Sequence, residues 1–243
     1  MKLGTKEISG RFTIPSGIVT TNVSVLKKIA DEIPEIGILT TKSIGPKPRE
    51  GNREPIFAQY APDSFTNAVG LTNPGAEEFA KQLQNLKIHK DKFLLTSIFG
   101  ANLEEFVYVA ETLAPFSDGL ELNFSCPHAQ GYGQVIGQDK ELVSKIISAI
   151  TNKTDIPIFA KLSPNIPNLG EISKACANSG AYGITAINTA GPGYHMVNGH
   201  PVLTNELGGL SGKAILPIGL KCVKEISEAV NSLEKKIKII ACG

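Results

Sequence analysis

Short β-rich runs alternate with amphipathic helical stretches along the chain, and this alternation constrains the fold more than any other feature. Seven runs have the composition of strands, at 14–19, 37–41, 93–98, 119–123, 156–161, 183–188 and 236–241. Strands separated by helices pair in parallel, because each helix returns the chain to the same end of the sheet. One uninterrupted βα series with no linker favours a (β/α)8 TIM barrel over an open sheet, and predicts one domain over residues 1–243.

Capping residues mark where several helices should begin and end. Asn73 with Pro74 predicts a helix over 76–86, Asn102 predicts one over 103–113, and Asp139 predicts one over 140–150. Gly180 is expected to end the helix that starts near Leu169. The apolar residues of 140–150 fall on one broad face, as expected for a helix that lies on a parallel sheet.

An eighth strand is not evident in the sequence after the seventh. A barrel without its last strand would have unpaired edges, so we expect the chain to lack the last βα unit of a longer natural product. Residues 3–12 are an alternative source of a strand. Their polar alternation is better suited to a small hairpin that covers the barrel floor.

The composition argues against several classes of protein. The 24 basic and 23 acidic residues are spread along the chain and give a net charge of +1, so no nucleic-acid footprint is visible. No apolar stretch approaches the roughly 18 to 20 residues of a membrane span, and the first ten residues lack the apolar core of a signal peptide. We therefore expect a cytoplasmic protein with reduced cysteines. No C-x-x-C pair or histidine spacing predicts a metal site.

The segment 120–128, Leu-Glu-Leu-Asn-Phe-Ser-Cys-Pro-His, runs from an apolar strand directly into polar residues. A free cysteine is most often a small buried apolar residue. Here Asn123, Ser125 and His128 crowd hydrogen-bonding groups around Cys126, and a core would have to satisfy all of them. We therefore interpret Cys126 as a working thiol at the end of a strand. His128 is interpreted as a neighbour of the ligand.

Polar side chains also end the other predicted strands. Lys42, Asn123, Lys161 and Asn188 lie at or just beyond the carboxyl ends of four of them, which meet at one rim of a barrel. Most lysines are solvated surface charges, but both of these end strands suited to burial. The segment 66–74 adds further amides. Side-chain amides donate and accept at once, so this set suits a planar ligand rich in carbonyl and N–H groups.

Two further features surround the rim. The segments 43–66, 124–138 and 189–210 are longer than typical βα connections and are expected to be lids or binding loops. Gly208 to Gly212, before a helix expected from about Ala214, could hold a phosphate with backbone N–H groups. A tight turn that needs positive φ explains the same glycines equally well.

These residues resemble the class 1 dihydroorotate dehydrogenases, which are flavin mononucleotide (FMN) enzymes on a (β/α)8 barrel. The resemblance spans nearly the whole chain and rests on ordered motifs. They are Pro15-Ser16-Gly17, Thr41-Lys42-Ser43, Pro48 to Asn52, Asn67 to Leu71, Asn123 to Pro127, Ala160 to Asn165, Ile187 to Thr189, Gly208 to Gly212 and Cys242-Gly243.

The resemblance implies an oxidoreductase of pyrimidine (UMP) biosynthesis that oxidises dihydroorotate to orotate. It implies that Cys126 is the base that removes the C5 proton while a hydride passes from C6 to the flavin. The residues implied to bind substrate are Lys42, Asn67, Ala68, Val69, Gly70, Leu71, Asn123, Asn188 and Thr189. The residues implied to bind FMN are Ser16, Lys42, Ser43, Asn123, Lys161, Ile187, Gly212 and Gly243.

The chain also departs from the family pattern. His128 stands where many relatives have a second ligand-binding asparagine, and Ser97 stands where a flavin-contacting asparagine is common. Cys-Pro-His also occurs in dihydropyrimidine dehydrogenases, so a flavoprotein that acts on uracil or thymine is an alternative. A barrel fragment that binds a ligand without turnover is another. The Gly-Gly-Leu-Ser-Gly pattern resembles the NAD-linked branch, which implies a separate iron–sulfur flavoprotein subunit as partner and an oligomer.

Overall fold

The computed structural model describes residues 1–17, 19–20, 22–124 and 134–243. The predictions for Cys126 and His128 therefore lie outside the described residues. The strands are β1 Lys2–Leu3, β2 Lys6–Glu7, β3 Phe12–Ile14, β4 Ile36–Thr40, β5 Phe57–Ala61, β6 Ser64–Asn67, β7 Phe93–Ile98, β8 Gly119–Asn123, β9 Ile158–Leu162, β10 Gly183–Ala186, β11 Ala190–Tyr194, β12 Met196–Val197, β13 His200–Pro201, β14 Leu207–Gly212 and β15 Lys238–Ala241. The helices are α1 Val23–Glu32, α2 Ala76–Gln84, α3 Leu103–Leu113, α4 Gln134–Gln138, α5 Lys140–Thr151, α6 Leu169–Asn178 and α7 Leu216–Asn231, with 3-10 turns at Ala114–Phe116 and Lys213–Ile215.

Seven strands form one parallel sheet that curls into a nearly closed barrel. Their order is β3-β4-β7-β8-β9-β10-β15, and every neighbouring pair is parallel. The sheet order follows the chain order, because each helix leads to the next strand along the sheet. The predicted α/β barrel is therefore confirmed in fold class.

The helices pack their apolar faces on the outside of the barrel. In α5 the buried residues are Val143, Ile146, Ile147 and Ile150, which repeat at helical spacing. They belong to a large cluster that includes the outward-facing residues of the strands. Among the described residues, no helix has the length and apolar character needed to cross a bilayer.

The N-terminal hairpin closes the floor of the barrel, as its polar alternation predicts. Strands β1 and β2 pair antiparallel, and Leu3 and Ile8 are buried against Phe93 and Phe159 in a second apolar cluster inside the barrel. The rings of Phe93 and Phe159 meet edge to face, with centroids 6.5 Å apart. The floor is therefore filled with side chains, which leaves the opposite, carboxyl end for a ligand.

A four-stranded antiparallel sheet covers that carboxyl end, in the order β11-β14-β6-β5. Its strands lie within or extend beyond the segments 43–66 and 189–210, so the prediction that these segments lack structure of their own was wrong. Gly208 explains one close approach in this sheet, because a Cβ there would lie 2.3 Å from the Thr66 hydroxyl. Glycine has low strand propensity, and this hid the strand in the sequence.

The predicted boundaries were confirmed where a side chain makes the cap. Asn102 accepts a hydrogen bond from the Glu105 N–H, Asp139 accepts from Glu141 and Leu142, and Gly180 has a φ of +105° just after α6. Helix α2 begins at Ala76 as predicted, but Asn73 is not its N-cap: the N-cap is Gly75, and the Asn73 side chain accepts from the Gly45 and Gly75 N–H groups. The first strand was also placed too late: β3 ends at Ile14, before Pro15, which has no N–H to donate.

Candidate active site

A cavity of about 170 Å³ lies between the carboxyl ends of the barrel strands and the antiparallel cover sheet. Rigid strands supply the floor of this cavity, and the cover sheet supplies its roof. Its described lining consists of Ser16, Gly17, Lys42, Ser43, Phe57, Asn67, Val69, Gly70, Leu71, Asn123, Lys161, Asn188, Thr189 and Ser211. Most of the site residues expected from the sequence therefore lie together.

Four of the expected residues that the structure describes do not line this cavity. Ala68 is buried beside it, and its backbone pairs with Ile56 and the Asn52 side chain. Gly212 and Gly243 instead line a neighbouring apolar groove of about 420 Å³. Ile187 is buried next to Gly243, where a Cβ would lie 3.3 Å from Ile187 Cγ1.

Hydrogen bonds between side chains tie the strand ends of the rim together. Ser43 is at the centre: its hydroxyl lies 3.1 Å from that of Ser16 and 2.9 Å from that of Ser97, and it accepts from the Asn123 amide at 3.0 Å. The Asn123 Oδ1 in turn accepts from the Asn188 amide at 3.5 Å. One polar chain thus runs across the mouth of the barrel and fixes its side chains before any ligand binds.

The cavity has two ammonium groups and no carboxylate among its described lining residues. Lys42 follows β4, and Lys161 lies within β9 with a side chain that is 6% exposed. The Glu121 carboxylate lies one step deeper in the barrel, 3.8 Å from the Lys161 ammonium. This excess of positive charge at the surface of the cavity suits an anionic ligand.

The segment 67–71 forms one wall and is fixed by the loop before it. The Asn52 N–H donates to the Val69 carbonyl, and the Asn52 amide donates to the Ala68 carbonyl at 2.8 Å. Gly70 has a φ of +80°, and a Cβ there would lie 2.7 Å from Asn52. Glycine is thus required at this position both by the backbone conformation and by the close approach of Asn52.

The predicted phosphate cradle at Gly208 to Gly212 takes a different form. These residues lie in β14 and pair with β6, so the prediction of a loop was wrong. Gly212 alone has a positive φ, of +89°, and it precedes the 3-10 turn that leads into α7. The positive φ of this tight turn therefore accounts for the glycine at position 212. Gly212 lines the same groove as Gly243, so these two residues of the expected cofactor site lie near each other.

The cysteines in the described part of the chain fall into two groups. Cys176 and Cys222 are buried in the outer core, as expected of small apolar fillers. Cys242 differs from these two, because it is half-buried and its thiol lies 3.3 Å from the Ile187 carbonyl. Burial raises the pKa of the Cys242 thiol to about 11, with a lowering effect from Lys161 and a raising effect from Glu121.

Sequence reasoning missed several residues of the site. Gly17, Phe57 and Ser211 line the cavity, and Glu121 lies directly beneath it. Phe57 and Ser211 come from the cover sheet, for which the sequence gives no clear signal. Glu121 could have been found, because it lies two residues before Asn123 and alternate residues of a strand share a face.

Comparisons with known proteins identify the family of this chain. The family model described as dihydroorotate dehydrogenase matches residues 2–243. A protein of Methanocaldococcus jannaschii named dihydroorotate dehydrogenase B (NAD(+)), catalytic subunit, is 39% identical over 226 residues, which cover 91% of this chain and 73% of that protein. A protein of Methanosarcina acetivorans with the same name is 38% identical over 239 residues, covering 98% and 75%.

A solved structure matches the fold of this chain. The crystal structure of a ligand-free DHODH from Eimeria tenella superposes with a TM-score of 0.70 at 21% identity. The match covers 84% of this chain, and the chain spans about 64% of that structure. At this level of identity the likeness supports the barrel architecture alone.

Proposed function

The chain belongs to the dihydroorotate dehydrogenase family, and from this premise we propose that it oxidises dihydroorotate to orotate in pyrimidine biosynthesis. It is accordingly an oxidoreductase acting on a CH–CH group, and we propose FMN as its cofactor. The observation that carries the proposal is the cavity itself. Lys42, Lys161 and three side-chain amides converge there on a space between barrel and cover.

The lining of the cavity fits a dihydropyrimidine with a carboxylate. The amides of Asn67, Asn123 and Asn188 can donate to ring carbonyls and accept from ring N–H groups. The Lys42 ammonium supplies a positive charge for the carboxylate. We propose that Val69, Gly70, Leu71 and Thr189 complete the enclosure and exclude water, and that Ala68 acts only by holding its neighbours.

The donor set also fits a flavin. Ser16 and Ser43 offer hydroxyls, Lys42 and Lys161 offer ammonium groups, and Asn123 offers an amide on one continuous wall. We propose that Ile187, Gly212 and Gly243 extend this site into the adjoining groove, where close backbone approach replaces side-chain contact. FMN bound there would supply an acceptor for the hydride from C6 of dihydroorotate. Lys161 would stabilise negative charge on the ring.

We propose Cys126 as the base that removes the C5 proton. Strand β8 ends at Asn123, on the cavity wall and three residues before Cys126. Only the thiolate can accept the proton, and a free thiol with a pKa near 8.5 is mostly protonated at neutral pH. The rate should therefore rise with pH until the thiol is ionised.

We propose that electrons leave through a separate subunit. The relatives bear the words "catalytic subunit" and "NAD(+)" in their names, which implies a further chain that connects them to NAD. The NAD-linked branch that this sequence resembles uses an iron–sulfur flavoprotein subunit, and we propose that class of partner here.

Anaerobic titration of the FMN-loaded protein tests the proposal. Dihydroorotate should bleach the visible absorbance of the flavin, whereas dihydrouracil, which lacks the carboxylate for Lys42, should not. Bleaching by dihydrouracil alone would identify a dihydropyrimidine dehydrogenase instead. Bleaching by neither compound, in protein that retains its flavin, would contradict both dehydrogenase assignments.

A further inference from the structure

Glu121 is a buried carboxylate for which the proposed chemistry has no use. Its side chain is 1% exposed, and it lies on β8 two residues before Asn123, on the same face of the strand. Its Oε1 has no hydrogen-bond partner among the described residues. A buried ionisable oxygen left in this state needs a reason, because burial without a partner is unfavourable.

The group nearest to Glu121 with opposite charge is Lys161. The Lys161 ammonium is 3.8 Å from Glu121 Oε1, a separation that allows charge pairing but is long for a hydrogen bond. Lys161 also lines the cavity, whereas Glu121 does not. The ammonium therefore has its counter-charge on the barrel side and an open space on the ligand side.

Other polar groups lie close to this pair. Thr185 on β10 is in register with Lys161, and its buried hydroxyl also has no described partner. Cys242 follows β15, and its thiol responds to both charges, in opposite directions. Lys42 is on the same cavity wall. With Lys42 and Lys161 positive and Glu121 negative, the site has a net charge of about +1 before a ligand binds.

We propose that Glu121 is a positioning residue that holds the Lys161 ammonium from below and balances its charge until a negatively charged group enters the cavity. The 3.8 Å separation leaves the ammonium able to turn towards a ligand without losing its counter-charge. Because the Glu121 charge opposes a new negative charge near Lys161, it should limit how strongly the site favours reduced FMN over oxidised FMN. This second consequence rests on the proposed function.

Two measurements test the proposal with Glu121→Gln, Glu121→Asp and a matched control. Asp118→Asn is the control, because Asp118 is also a carboxylate paired with a lysine, Lys6, at 2.7 Å but lies at the floor of the barrel. The midpoint potential of bound FMN gives the ratio of its affinities in the two redox states. Glu121→Gln should shift this ratio about tenfold or more towards reduced FMN, Glu121→Asp much less, and Asp118→Asn not at all. An unchanged or lowered potential in Glu121→Gln would overturn the proposal.

The second measurement needs neither dihydroorotate nor turnover. The stabilities of Glu121→Gln, Lys161→Met and the double variant are compared by chemical unfolding. Because each single change leaves a buried charge without its partner, the double variant should be more stable than the sum of the two losses predicts. Strictly additive losses would overturn the pairing. If Glu121→Gln does not fold, recovery of folding in the double variant supports the proposal, and failure of that recovery refutes it. Absence of dihydroorotate oxidation in the unmodified protein would refute the proposed function and leave this result standing.

Discussion

The side-chain amide of Asn123 donates a hydrogen bond to the hydroxyl of Ser43 over 3.0 Å, which links the carboxyl ends of two strands that are not neighbours in the sheet. Strand β7 lies between them, and its Ser97 hydroxyl completes the link at 2.9 Å from Ser43. The Ser43 hydroxyl thus joins the carboxyl ends of three barrel strands. The contribution of the Ser43 hydroxyl to the stability of the protein can be measured without any ligand, and so independently of the proposed role of the rim in binding.

Replacement of Ser43 by alanine should destabilise the protein by about 1–3 kcal/mol, because the buried side chains of Asn123 and Ser97 each lose a hydrogen-bond partner. Chemical unfolding measures this change. Ser16→Ala is the matched control: it removes a hydroxyl from the same chain but leaves the Ser43 bonds to Asn123 and Ser97 in place, and it should cost less. A loss for Ser43→Ala no larger than that for Ser16→Ala would show that the rim does not depend on this hydroxyl.

Much of this rim could be predicted from the sequence, and the reason is geometric. Parallel strands bring their carboxyl ends to one side, so Lys42, Asn123, Lys161 and Asn188 could be placed together without any distance information. Caps made by a local side chain, such as that of Asp139, were equally readable because donor and acceptor are close in the chain.

The cover sheet could not be predicted in the same way. Its central pairing joins Ser64–Asn67 to Leu207–Gly212, and local patterns carry no information about so distant a partner. Glycines in the second of these strands also remove the β-propensity that would have indicated a strand. The position of Glu121 under Lys161 depends on strand register, which only the folded barrel supplies.

The proposed base makes a prediction about thiol reactivity. Burial raises the pKa of Cys176 to about 12 and that of Cys242 to about 11, and burial also raises the pKa of Cys222. These three thiols should therefore be almost fully protonated at pH 8 and react slowly with iodoacetamide. If Cys126 is the base, one thiol per native chain should react quickly, and mass spectrometry should locate it at Cys126.

The variant Cys126→Ser provides the functional half of that test. It should keep bound FMN and its yellow colour, but flavin reduction by dihydroorotate near neutral pH should fall by about 10²-fold or more, because a serine hydroxyl is a far weaker base catalyst. Stopped-flow absorbance measures this rate, and Cys222→Ser is the control. Equal rates in Cys126→Ser and the unmodified protein would exclude Cys126 as the base.

The raised pKa of Cys176 also predicts how stability depends on pH. A thiol that ionises near pH 9 in the unfolded chain but near 12 in the folded chain stabilises the fold fully below pH 9. That contribution is lost as the pH rises from 9 towards 12, by about 3 kcal/mol at pH 11. The difference in unfolding free energy between the unmodified protein and Cys176→Ala should therefore shrink by about that amount between pH 8 and pH 11. A difference that stays constant with pH would contradict the buried, protonated thiol.

Lys92 has a structural role at the end of the barrel opposite to the cavity. Its ammonium is buried and donates to the carbonyl oxygens of Ile33, Pro34 and Ile36, at 3.3, 3.0 and 2.7 Å. These carbonyls belong to the turn that leads from α1 into β4, and that of Ile33 also accepts from the Ile36 N–H, so one cation binds three acceptors of the same turn. Because the methionine side chain cannot donate, Lys92→Met should cost about 3 kcal/mol of unfolding free energy, whereas the exposed Lys90→Met should change it by less than about 0.5 kcal/mol.

Flavin affinity and the rate of flavin reduction per folded molecule should be unchanged in Lys92→Met, since the cavity lies beyond the opposite ends of the strands. A Lys92→Met protein as stable as Lys90→Met would refute this role for the buried ammonium, and a loss of flavin from fully folded protein would show that the two ends of the barrel are coupled.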